Sequence, residues 1–163
     1  VWGCGCWDVC PEKALPSWND LHHETNTELQ IRFVDTALAV INHLGKDKIG
    51  YFNLACDITP HCDCAEYGDV PMVPDIGIFA SKDPVAIDKA SVDAIIKAPG
   101  IPGSVAEELN IMNPGDDKFT ALTNWPPFET FKKAGGTKGW RIQLKTAVKL
   151  GLGSMKYELI KIT

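Results

Sequence analysis

The sequence predicts an α/β fold with a small mixed or parallel sheet, flanking helices and a cysteine-rich irregular segment at its N-terminus. Ile49–Ile58 and Asp75–Ala80 are short apolar runs bounded by turn-forming residues, and both are predicted to be buried strands because apolar residues occupy both parities. Apolar residues recur at helical spacing before the first run and after the second. A strand, a loop, a second strand and a helix in succession are typical of α/β proteins.

The first helix is predicted over 27–44. Thr27 and Gln30 form a capping box, apolar side chains recur on one face, and Gly45 can end the helix.

The second helix is predicted to follow the second strand. Asp83 can cap its N-terminus ahead of Pro84 at the first helical position, and its apolar face ends near Lys97. The remaining predicted elements are short helices near 104–109 and 116–123, an amphipathic helix over 140–150 and a closing strand over 157–162.

Composition excludes some classes of function. The 163 residues are 45% apolar and 23% charged, which suits one soluble domain with its own core. The formal charge of −5, with scattered Lys and Arg, argues against a nucleic-acid partner. No apolar run approaches the length that crosses a bilayer, so no membrane partner is expected.

All six cysteines fall into two groups, an N-terminal group and a loop group. The N-terminal group is Cys4, Cys6 and Cys10, and the loop group is Cys56, Cys62 and Cys64. Disulfides usually join distant segments of a small secreted domain, whereas closely spaced thiolates converge on a metal or cluster. The pattern therefore favours metal or cluster binding in a reducing compartment, for which the cytoplasm is the default.

The N-terminal group has the spacing C-x-C-x3-C-P and ends at Pro11. Bacterial ferredoxins hold a [4Fe–4S] cluster with C-x2-C-x2-C-x3-C-P, and this chain reproduces the second half of that pattern. We therefore expect Cys4, Cys6 and Cys10 to bind a [4Fe–4S] cluster. A fourth ligand has to come from the loop group, from a partner chain or from sequence before Val1, and a start inside the motif suggests that such sequence exists.

The loop group is a second candidate site. Cys62 and Cys64 either complete the first cluster or hold a second centre, which is another cluster or, with His61 as an added ligand, zinc. Nearby carboxylates raise thiol pKa values, so a bound cation is needed to keep the thiolates ionised. These carboxylates belong to Asp57, Asp63, Glu66 and Asp69.

Three stretches of the chain resemble an iron–sulfur protein family catalogued only as domain of unknown function 362: ITPHCDC, PMVPDIGIFASKDPVAIDKASVDAI and LGLGSMKYELI. The resemblance implies a cytoplasmic, cluster-binding protein of unsettled activity. It corresponds to the C-terminal half of such proteins, with 1–26 as the end of a ferredoxin-like cluster-binding segment and 27–163 as an α/β domain. The positions that it marks are Cys62, Cys64, Asp75, Gly77, Ser81, Asp83, Pro84 and Asp88.

The leading hypothesis is electron transfer through a [4Fe–4S] cluster, with a redox protein or a missing N-terminal half as partner. One alternative is a metal-dependent enzyme with zinc or iron at Cys62, Cys64 and His61, and with Asp75 or Asp88 as an acid–base group. The other alternative is a structural module in which the metal only holds loops together. If the strands are parallel, both cysteine groups should line one pocket with the turn 81–83, because loops at the carboxyl ends of parallel strands meet.

Overall fold

The computed structural model describes residues 11–12, 26–61, 68–122 and 139–162. Five α-helices and two strands lie in these parts of the chain. In order they are α1 (Asn26–Leu44), β1 (Tyr51–Ala55), β2 (Gly77–Ser81), α2 (Pro84–Lys97), α3 (Val105–Glu108), α4 (Lys118–Ala121) and α5 (Gly139–Lys149), with a 3-10 turn at Lys46–Lys48. No helix in the described parts is long and apolar enough to cross a membrane.

Helix α1 confirms the predicted bounds to within one residue. It ends at Gly45, whose φ of 90° lies in the region that favours glycine. The Gly45 N–H donates to the Ile41 carbonyl at 2.9 Å, which closes the last turn.

Strands β1 and β2 form a two-stranded antiparallel sheet, with Tyr51 opposite Ser81 and Ala55 opposite Gly77. The predicted α/β class, with a small sheet and flanking helices, is confirmed. Because the pairing is antiparallel, the loop after β1 and the turn after β2 leave opposite ends of the sheet. The geometric argument for one pocket shared by the loop cysteines and the turn 81–83 therefore fails.

Among the residues that the structure describes, only one face of the sheet is covered. Helix α2 packs against both strands, while Phe52, Leu54 and Ile78 on the other face are 67–70% exposed. The prediction that both strands are buried on both faces was wrong, because antiparallel pairs tolerate one open face and the described chain supplies no second layer there.

Helix α2 begins as predicted. The Asp83 carboxylate Oδ1 accepts from the Val85 and Ala86 N–H groups at 2.8 and 2.9 Å, and Pro84 occupies the first turn. Short helices α3 and α4 are capped in the same way by Ser104 and Asp117.

Two apolar cores hold these elements. The first core joins α1, the start of α2, α5 and a residue in the turn after α5: Val34, Ile41, Val85, Leu144, Ala147 and Leu152. The second core lies between the end of α2 and the loops around α3: Met72, Val73, Ile95, Val105, Ala106 and Ile111.

The predicted closing strand over 157–162 was wrong. No described strand pairs with this segment, and Leu159, Ile160 and Ile162 are exposed. The Ser154 N–H donates to Asp83 Oδ2, and the Tyr157 hydroxyl donates to Asp93 Oδ2, each at 2.9 Å. The contact of Tyr157 places the start of this segment against α2.

Candidate functional site

The predicted cluster ligands Cys4, Cys6, Cys10, Cys62 and Cys64 lie outside the described residues. The predicted distance between the two cysteine groups therefore stays a prediction. The structure does describe both flanks of the loop that carries Cys62 and Cys64. We call this segment, residues 56–76, the β1–β2 loop.

Both flanks of the β1–β2 loop are fixed by hydrogen bonds. The Ile76 N–H donates to the Ala55 carbonyl, and the Met72 N–H donates to the Ile58 carbonyl, each at 2.8 Å. Met72 and Val73 are almost wholly buried in the second core. The segment with Cys62 and Cys64 is thus carried between two anchored flanks.

The chain turns sharply directly after β1. Asp57 has a φ of 48°, a left-handed conformation that Asp adopts more readily than most residues. Its N–H donates to Asp75 Oδ1 at 2.9 Å, so the predicted acid–base residue Asp75 joins the two flanks of the loop. Cys56, just before this turn, is a half-buried free thiol.

His61 stands at the edge of the described part of the loop. Its carbonyl accepts from the Thr59 hydroxyl at 2.8 Å, which fixes the backbone immediately before Cys62. Within the described ranges, no three His, Cys, Asp or Glu side chains form a group that could hold a metal ion.

At the other end of the sheet, the turn 81–83 is engaged with its own surroundings. The Ser81 hydroxyl accepts from the Asp83 N–H at 2.9 Å, and Lys82 Nζ donates to the Ile49 carbonyl at 3.1 Å. Asp83 caps α2 and also receives the Ser154 N–H. These side chains stabilise the join between β2, α2 and the C-terminal segment.

Asp88 faces the middle of β1 from helix α2. Its Oδ1 accepts from Asn53 Nδ2 at 2.8 Å, and the same amide lies 3.2 Å from the Ser91 hydroxyl. Asp88 also lines an apolar groove of about 330 Å³ between α1, α2 and α5. The two carboxylates predicted as acid–base candidates therefore lie in different places, Asp75 in the β1–β2 loop and Asp88 beside the groove.

Comparison with known families matches residues 10–93 to the model of domain of unknown function 362, just over half of the chain. The chain belongs to the domain of unknown function 362 family. The match begins at Cys10 and includes both strands, the β1–β2 loop and α2 as far as Asp93. No curated protein and no solved structure matches the chain.

Asp83, within the family match, contacts both the start of α2 and the backbone of Ser154, and sequence reasoning identified its capping role. Burial raises the pKa of the Tyr51 hydroxyl, and the negative charge of Asp83 raises it further. That hydroxyl oxygen is buried and has no hydrogen-bond partner among the described residues.

Sequence reasoning missed Lys118, which lies beyond the family match. Its side chain is completely buried, and Nζ donates to the Asn113 carbonyl at 2.8 Å and the Ile96 carbonyl at 3.2 Å. Desolvation lowers the pKa of this amine. A lysine in a polar stretch of sequence carries no signal of such burial.

Proposed function

We propose that the protein binds a [4Fe–4S] cluster through Cys4, Cys6 and Cys10, with Cys62 and Cys64 either completing that cluster or holding a second centre, and that it transfers electrons. The observation that carries the proposal is the C-x-C-x3-C-P motif together with a second cysteine pair in the β1–β2 loop. Thiolates are the ligands that iron–sulfur clusters require, and the donor chemistry of the chain fits this group. The cluster would supply a one-electron redox couple.

The described part of the β1–β2 loop supports this proposal. Its anchored flanks limit the conformations open to Cys62 and Cys64, so ligand binding there costs less chain entropy than in a free loop. Asp57 and Asp75 lie together at the base of the loop. Their negative charge disfavours an added electron, which would lower the reduction potential of a nearby cluster.

The first test is metal analysis of anaerobically purified protein. We expect iron and acid-labile sulfide in near-equal amounts, with visible absorption that bleaches on reduction. Iron-free protein with an intact fold and reduced cysteines would contradict the proposal. Zinc without sulfide would instead support a zinc site at Cys62, Cys64 and His61.

Ligand variants make the test specific. Cys10→Ser and Cys62→Ser should each lower the iron content, because each removes a proposed thiolate. Cys56→Ser is the matched control: Cys56 belongs to the same cysteine group in sequence but is a half-buried free thiol at the end of β1, so iron should be retained. An equal loss of iron in all three variants would show that folding, not ligation, is being measured.

A further inference from the structure

Helix α1 carries two apolar stripes, and only one of them is buried. The inner stripe, Val34, Leu38 and Ile41, packs in the first core. The outer stripe consists of Leu29, Phe33, Ala37, Val40 and Leu44. All five are exposed, and the four larger side chains retain 49–55% of their accessible surface. An apolar stripe that runs the length of a surface helix marks an interaction surface.

The spacing of the outer stripe indicates what binds to it. Its members are separated by four, four, three and four residues, which is the alternation that packs one helix along another. The series reads nearly the same in both directions about Ala37. A surface with that property is self-complementary about a two-fold axis, as an isologous dimer interface requires.

We propose that the outer stripe of α1 is a homodimer interface in which two copies of α1 pack antiparallel. In this register Leu29 of one copy faces Leu44 of the other, and Phe33 faces Val40. The two-fold axis then passes between Thr36 and Ala37, so the small Ala37 side chains lie beside it, where they allow the two backbones to approach closely.

The charges at the two ends of α1 agree with this arrangement. Glu28 lies in the first turn, while His43 lies in the last turn and Lys46 just beyond it. Antiparallel packing brings the acidic end of one helix beside the basic end of the other. It also places the two helix dipoles in the favourable opposed orientation. A parallel pair would bring like charges together.

The apolar groove beside the outer stripe extends the same surface. Phe33 and Ala37 form part of its wall, and Leu144, Ala147 and Leu152 form another part. Such a recess accommodates a side chain from the second copy, and interface energy tends to concentrate where a side chain fills a pocket. Since α1 is only about 28 Å long, we expect a small interface and a dissociation constant of roughly micromolar order.

The first experiment measures the oligomeric state of the full chain by analytical ultracentrifugation, over a wide concentration range and with reductant present to exclude disulfide dimers. We expect a concentration-dependent dimer. Phe33→Glu and Val40→Glu should each weaken dimerisation by about tenfold or more, since each places a charge in the interface. Phe52→Glu is the matched control, because Phe52 is an exposed aromatic on the open sheet face and lies outside the stripe.

The second experiment tests the register. Leu44→Glu alone should weaken the dimer, and the double variant Leu29→Lys, Leu44→Glu should restore it, because the new opposite charges face each other only in the antiparallel arrangement. Circular dichroism checks that each variant is folded. Rescue supports the proposal. A monomeric wild type, a Phe52→Glu effect as large as that of Phe33→Glu, or folded variants without rescue would each overturn it. None of these readings depends on metal content.

Discussion

The two apolar cores are built from the chain in different ways. The first core brings together segments that are far apart in sequence, around Val34, Val85 and Leu144. The second core forms almost entirely between Met72 and Leu122, a contiguous part of the chain. The first core therefore depends on long-range packing, and the second on local closure.

Each core has a charged side chain that joins separate backbone segments through hydrogen bonds. Asp83 does so beside the first, where its carboxylate joins the start of α2 to the backbone of Ser154. Lys118 does so in the second, where its amine joins the Ile96 carbonyl to the Asn113 carbonyl. In both cases one charged group forms hydrogen bonds with backbone groups from separate segments, and for the fully buried Lys118 these bonds offset the cost of burial.

The two cores also have different roles in the molecule. The second core anchors the β1–β2 loop through Met72, whose N–H bonds to Ile58 and whose carbonyl receives the Ile101 N–H. The first core carries the exposed outer stripe of α1 on its far side. The locally closed core thus anchors the described flanks of the β1–β2 loop, and the long-range core carries the exposed stripe of α1.

The largest expected effect is on the second core, from Lys118→Ala. The substitution leaves the Ile96 and Asn113 carbonyls without this donor and opens a cavity in a fully buried site. We expect a loss of about 3 kcal/mol in the free energy of unfolding, measured by urea denaturation. Lys97→Ala is the control, since Lys97 is exposed at the end of α2 and should change stability by less than about 0.5 kcal/mol. Equal effects of the two substitutions would contradict the role given to Lys118.

The next largest effect is expected at the contact between Gly153 and Asp83, beside the first core. An alanine Cβ at Gly153 would overlap the Asp83 carboxylate, so Gly153→Ala should cost about 2 kcal/mol in the free energy of unfolding. In an Asp83→Ala background the overlap is absent, and the same substitution should cost much less. A double-mutant cycle by urea denaturation measures this coupling. Additive effects would show that Gly153 and Asp83 do not interact.

Local chemistry explains which elements could be predicted from the sequence. Gly45 determines the end of α1, and Asp83 with Pro84 determines the start of α2, because caps act within a few residues of the helix end. Strand burial could not be inferred in the same way. Phe52 and Leu54 have the composition of a buried strand, but their exposure depends on whether a second layer covers the sheet.

The same distinction between local and long-range features applies to the functional residues. The cysteine motifs are visible in sequence, and so is the cap at Asp83. The contact between Asp83 and Ser154 joins positions far apart in the chain, and the burial of Lys118 depends on the Ile96 carbonyl near the end of α2 and the Asn113 carbonyl between α3 and α4. Neither contact leaves a periodic or spaced pattern, so only the folded arrangement reveals it.

The smallest expected effect is a pH dependence at Asp117, where α4 meets α5. Burial raises the pKa of this carboxyl, but hydrogen bonds from Thr120 and the charge and hydrogen bond of Arg141 outweigh burial and lower the pKa below its ordinary 3.8. A carboxyl with a lowered folded pKa contributes stability above its unfolded pKa and loses that contribution as the pH falls through the folded value. The Asp117–Arg141 ion pair should therefore support the fold at neutral pH and stop doing so in acid.

Asp117→Asn tests that assignment because asparagine keeps the capping ability at α4 and removes the charge that faces Arg141. We expect it to lower the free energy of unfolding at neutral pH by less than about 1 kcal/mol, since both side chains are partly exposed to screening solvent. The difference between wild type and variant should shrink as the pH falls from about 5 to about 2, measured by urea denaturation at each pH. Glu158→Gln, on the exposed C-terminal segment, is the control for the removal of one carboxylate charge. If this difference stays constant across the acid range, the charge of the Asp117 carboxylate does not contribute to stability. The ion pair with Arg141 would then add nothing to the free energy of unfolding.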